Sequence, residues 1–149
     1  MLTPAAQALI DQLQLQPHPE GGYFRETWRA SLVLSPQALP DHGGPRAAGT
    51  LIYYLLPTGS RSRPHRVRSD ELWLFHAGDP LLLTVRATPD ISPDHVYGLG
   101  QKGCYQVVVP ANHWQDAEPQ VGKAGYALVS CVVVPGFDFA DFEMVPSRG

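Results

Sequence analysis

Gly59-Ser-Arg-Ser-Arg-Pro-His65-Arg-Val-Arg-Ser-Asp-Glu71-Leu-Trp-Leu-Phe-His-Ala-Gly78 is the densest polar run in the chain, and a glycine bounds it at each end. In an extended strand every second side chain falls on the same face. Arg63, His65 and Val67 then share one face, while Arg66 and Arg68 point the other way. After a turn at Ser69-Asp70, Glu71, Trp73 and Phe75 share a face again. A hairpin of this kind aims His65 and Glu71 at one point inside an aromatic-lined sheet. An imidazole and a carboxylate meeting there can hold a metal, act as base and orienting partner, or form a structural hydrogen-bonded pair.

Short segments rich in Val, Leu, Tyr and Phe surround this run, separated by 15 prolines and 14 glycines. Such spacing predicts about nine short strands, at residues 23–30, 50–56, 65–67, 71–75, 81–87, 95–98, 105–109, 126–134 and 139–144. In the first of them Phe24, Glu26 and Trp28 share a face. The segment 35–49, with three prolines and three glycines, reads as a loop. One helix precedes the strands: Thr3-Pro4 is a cap followed by proline, and Ala5, Ala6, Leu9, Ile10 and Leu13 recur at helical spacing over residues 4–15. The expectation is an all-β sandwich or barrel with one short N-terminal helix, formed as a single domain over residues 1–149 with the barrel at 20–145.

Composition narrows the function classes. A net charge of −3 and a pI near 6.0 give no basic surface for nucleic acid. The apolar runs 51–56 and 126–134 are too short for a membrane helix. No basic segment followed by an apolar one opens the chain, so no secretory signal is read there. Cys104 and Cys131 sit among apolar residues as core thiols, which suits the cytoplasm.

Gly59, His65, Glu71 and Gly78 match the first motif of the cupins, in which two histidines and a glutamate bind a metal. Val67 stands where the second histidine belongs. Pro110-Ala-Asn-His-Trp-Gln115 is similar to the second motif, with Asn112 in place of its glycine and Gln115 in place of its metal-binding histidine. His18-Pro-Glu-Gly-Gly-Tyr-Phe-Arg-Glu-Thr27, Ser69-Asp-Glu-Leu-Trp73 and Pro135-Gly-Phe-Asp-Phe-Ala-Asp-Phe-Glu143 together resemble the uncharacterised cupin-five-type family. The resemblance implies a cupin jelly roll and a homodimer, and no established reaction. With two of four metal positions lost, it implies no cofactor, or at most a weak divalent metal on His65, Glu71 and Gln115.

Gly22-Tyr-Phe-Arg-Glu26 is also similar to a stretch of the sugar-nucleotide epimerases of the cupin class, where the aromatic and the acid contact the nucleotide base. That likeness assigns Phe24 and Glu26 to the ligand and His65 to the catalytic base; the shared face read above gives that base Glu71 as its partner. The epimerases' phosphate-binding arginine falls on Ser62, so Arg61 or Arg63 would take its place. Arg63, Trp73 and Gln115 complete the expected ligand set. The expected partner is a small molecule, bound by an isomerase or epimerase of a phosphorylated or nucleotide-linked sugar or related carbonyl compound. The alternatives are a non-catalytic binding or sensor protein and a metal-dependent enzyme. His18 and Glu20 read as residues that fix the chain's approach to its first strand.

Overall fold

The computed structural model describes residues 2–90 and 92–145. The helix, α1 (Pro4–Leu13), is capped by Thr3, whose hydroxyl accepts from the Ala6 N–H. It stops two residues before the expected end because Gln14 turns into the left-handed region at φ 56°. The strands follow as β1 (Gln16–Pro17), β2 (Tyr23–Arg29), β3 (Val33–Leu34), β4 (Arg46–Ala47), β5 (Thr50–Pro57), β6 (Ser62–Arg66) and β7 (Asp70–Gly78). Then come β8 (Leu81–Arg86), β9 (His95–Leu99), β10 (Gln106–Val109), β11 (Trp114–Pro119), β12 (Tyr126–Val134) and β13 (Glu143–Met144).

They form two antiparallel sheets, ordered β1-β2-β5-β12-β7-β10 and β13-β6-β11-β8-β9, with β3 and β4 paired separately. Alternation fills the space between the sheets. Tyr54, Leu56, Trp73, Val109, Val129 and Cys131 come from the larger sheet and meet Leu81, Leu83, Val85, Leu99 and Ala117 from the smaller. Leu55 and Leu128, one position out of phase, face outward and pack under Ile10 and Leu15 of the helix region. This is the jelly-roll sandwich expected from the sequence, with its single helix lying on one outer face.

The structure departs from expectation at several places. β6 and β7 do not form the expected hairpin: β6 lies in the smaller sheet and β7 in the larger, so the chain crosses between the sheets at the turn that separates them. The expected loop 35–49 contains a 3₁₀ turn, Pro36–Ala38, and β4, which pairs with β3. β11 pairs with both β6 and β8 at the middle of the smaller sheet. All its residues but Glu118 are buried, so it has no polar-apolar alternation to announce it. The expected strand at 139–144 is a 3₁₀ turn, Phe139–Asp141, followed by the two-residue β13. Asp138 caps that turn by accepting from the Ala140 N–H at 2.8 Å.

Candidate functional site

A cavity of about 430 Å³ opens beside the core. β2 supplies Phe24, Glu26 and Arg29 to its wall, β5 Thr50 and Ile52, β6 and the turn after it His65 and Val67, and β7 Glu71. His18 and Glu20 enter from the turn before β2, and Phe137, Asp138, Phe139 and Phe142 from the C-terminal segment. Its volume is in the range of small-molecule sites.

Histidine 65 is nearly inaccessible at 2% exposure, and both of its ring nitrogens are engaged. Nδ1 lies 2.8 Å from the Arg63 carbonyl, which can only accept, so Nδ1 carries a proton. Nε2 lies 2.9 Å from Glu20 Oε2. Burial by itself would lower the imidazole's pKa. The charge and hydrogen bond of Glu20, then the charge of Glu71 and the Arg63 carbonyl, outweigh it and raise the pKa to about 9. Burial works to raise the Glu20 carboxyl as well, but His65 holds it below the ordinary range. The pair is therefore an imidazolium and a carboxylate at neutral pH. Nearby, His18 Nδ1 accepts from the Glu20 N–H at 3.1 Å, and burial keeps this second imidazole low and neutral.

The neutral imidazole base expected at position 65 is thus already protonated, and its carboxylate partner is Glu20 rather than Glu71. Glu71 makes no ion pair within 4.0 Å among the described residues. Its Oε1 accepts from the Gln115 amide at 3.0 Å. Burial is the main reason its pKa rises to about 7; His65 opposes the rise, Glu20 adds to it, and Gln115 opposes it. A carboxyl poised near neutrality in a cavity can take up and release a proton.

The other expected residues divide. Phe24 and Glu26 stand on the cavity wall. Trp73 and Gln115 are buried behind it: Trp73 Nε1 donates to Gln115 Oε1 at 2.8 Å, so the tryptophan orients the amide that orients Glu71. Arg63 lies outside. A bulge in β6 sets Gln115 opposite His65 but Ala117 opposite Ser62, one residue more than regular pairing allows. The bulge turns Ser62 inward and leaves Arg63 exposed, donating to the Pro19 carbonyl. The other arginines of residues 59–78 are also spent elsewhere: Arg61 on Asp116, Arg66 on Glu143 and Arg68 on the Asp41 carbonyl.

Sequence reasoning gave His18 and Glu20 only half of their role. They do fix the turn: Gly21 N–H donates to the His18 carbonyl, and Arg63 N–H donates to the Glu20 carbonyl at 2.9 Å. Gly21, at φ 113°, presses so close to the Arg61 carbonyl that a Cβ would collide with it. The same turn delivers both side chains to the cavity. A histidine and a glutamate two apart, just ahead of a strand that carries Phe24 and Glu26, was the available signal.

The cupin metal positions do not form a donor set. Val67 has no donor atom, and both ring nitrogens of His65 are hydrogen-bonded. The Gln115 amide is shared between Trp73 and Glu71. Among the described residues no group of three His, Cys, Asp or Glu side chains is placed to hold a metal ion. Nor is any helix among them long and apolar enough to cross a membrane.

Residues 7–145 match the family described as Cupin superfamily (DUF985). An uncharacterized protein of Saccharomyces cerevisiae, YML079W, is 32% identical over 148 residues, covering 91% of this chain and 72% of its own. A hypothetical protein from Leishmania major superposes with a TM-score of 0.82 at 37% identity, over 94% of this chain and 86% of that one. Protein SO0799 from Shewanella oneidensis gives 0.76 at 33% identity, over 94% and 84%.

Proposed function

The chain belongs to the Cupin superfamily (DUF985) family, and from that premise we propose that it binds a small carbonyl compound in the cavity and moves a proton on it, as an isomerase or epimerase does. One observation carries this reading. A buried carboxyl outside any ion pair, Glu71, with a pKa of about 7, shares a cavity walled in part by four phenylalanines with an imidazolium fixed by Glu20. Glu71 as carboxylate takes the proton from the carbon beside the carbonyl. The electron pair of that bond moves toward the carbonyl oxygen, and the charge of His65 stabilises the enolate. In an isomerisation the Glu71 carboxylic acid then returns the proton to the neighbouring carbon of the enediol, whose hydroxyl proton passes to the former carbonyl oxygen; in an epimerisation the proton must return to the opposite face of the same carbon, so the enolate has to turn over against Glu71 first.

The wall does not favour a phosphate or nucleotide on the substrate. Its one arginine, Arg29, is bound to Glu26 at 2.7 Å, and Arg61, Arg63, Arg66 and Arg68 lie elsewhere. A compact carbonyl compound suits it better.

The test is solvent-deuterium exchange into ketones and aldoses that raise the melting temperature of the protein. Exchange should fall by about 10²–10⁴-fold in Glu71→Gln while the ligand-induced thermal shift persists. Exchange that survives the substitution would sink the reading. Ligands that bind without exchange in the natural protein would replace it with a non-catalytic binding protein.

A further inference from the structure

We propose that the occupant of this cavity carries an ammonium or quaternary ammonium group, so that the substrate class is a cationic carbonyl compound. The inference deepens the reading of the cavity as a ligand site but is measured by binding alone.

Charge is the first argument. Four carboxyls line the cavity, Glu20, Glu26, Glu71 and Asp138, against two cations, Arg29 and His65. Glu20 is spent on His65 at 2.9 Å and Glu26 on Arg29 at 2.7 Å. Glu71 and Asp138 remain, neither with an ion pair within 4.0 Å among the described residues. Glu71 is only 7% exposed, so water cannot compensate it as it would a surface acid. Arg46, behind the segment that carries Asp138, is already matched by Asp141. An anion entering here meets net negative charge, and a neutral compound would cover Glu71 without pairing with it; Asp138, exposed to water and within reach of the charge of Arg46, adds to the same sign.

The second argument is independent of charge. Phe137, Phe139 and Phe142 all face this cavity and stand nearly at right angles to one another, at interplanar angles of 83°, 69° and 73°. Phe24 stands on the wall against His18, with the ring centroids 4.5 Å apart. Aromatic walls with carboxyls between them suit an alkylated ammonium, whose methyl groups pack on rings and whose charge is drawn to their faces.

Calorimetry with choline, its neutral carbon isostere dimethylbutanol, and inorganic phosphate tests the proposal. Choline should bind about tenfold or more tightly than dimethylbutanol, and phosphate should not bind. Asp138→Asn keeps the cap of the 3₁₀ turn; it should weaken choline by about three- to tenfold and leave dimethylbutanol unchanged. Equal affinity for choline and its isostere, tighter binding of phosphate, or no binding of choline, tetramethylammonium and methylammonium alike would overturn it. Cation binding without deuterium exchange would leave this inference standing and remove only the proton-transfer reading.

Discussion

Asp141 and Phe142 are neighbours in the chain, and each closes over a different buried ion pair. Asp141 takes Arg46 through two 2.8 Å bonds, and the same guanidinium donates to the carbonyls of Pro45 and His42. Phe142 stacks over His65, at 5.4 Å between centroids, where the imidazolium meets Glu20 through one 2.9 Å contact on the cavity wall. The first pair is saturated, and its cation keeps its proton at any ordinary pH. The second can lose a proton and faces a space that a ligand can fill. Within one short segment, the saturated pair fastens the backbone and the responsive one lines the cavity.

The largest effect should come from cutting the fastener. Arg46→Ala leaves a carboxylate buried without a partner, which costs about 3–5 kcal/mol. Thermal unfolding should then move down by roughly 10 °C or more. A loss under about 1 kcal/mol would show that the two pairs do not differ as described.

Glu20→Gln should cost less, about 1–3 kcal/mol, and should change pH dependence instead. The raised pKa of His65 contributes stability that is full below pH 6.5 and lost as pH climbs through about 9. The raised carboxyl of Glu71 makes stability fall as pH climbs from 4.5 through about 7. Melting temperature against pH should therefore decline in two steps in the natural protein, and the alkaline step should shrink in Glu20→Gln. Imidazole NMR checks the cause: the His65 titration should move down from about 9. An unmoved titration would mean that Glu20 is not what holds the proton. Arg46, whose pKa Asp141 raises further, contributes no slope over this range.

Smallest of all should be Glu26→Gln. It breaks a pair whose side chains are 47% and 36% exposed and should change unfolding by less than about 0.5 kcal/mol. A larger loss would show that the rim of the cavity is structurally coupled to its floor.

Much of the fold was legible because alternation and turn residues are local signals. The helix cap at Thr3 and the strand at 126–134 follow from neighbours in sequence. The turn before Glu71 was legible too, but not that it carries the chain from one sheet to the other, because strand partners distant in sequence decide that. β11 was not legible: flanked by β6 and β8, its Gln115 and Asp116 are buried, and burial of polar residues leaves no pattern to read. Phe137, Phe139 and Asp138 alternate as a strand would, yet the Asp138 cap makes a turn of them. At the site, His65 and Glu71 were legible as inward-facing residues. Their protonation was not, because it depends on Glu20, 45 positions before His65 in the sequence. Nor was the outward turn of Arg63, which follows from one irregular pairing.

That bulge reaches further than its two residues. Parity along β6 decides which of two side chains stands inside the barrel, and the extra residue between Ala117's partner and Gln115's partner makes it a hydroxyl instead of a guanidinium. Had the strand run regularly, Arg63 would have pointed inward with His65 and added a full positive charge to the interior. How negative the interior is to an incoming molecule is thus shifted by a count of residues, not by a change in any one of them.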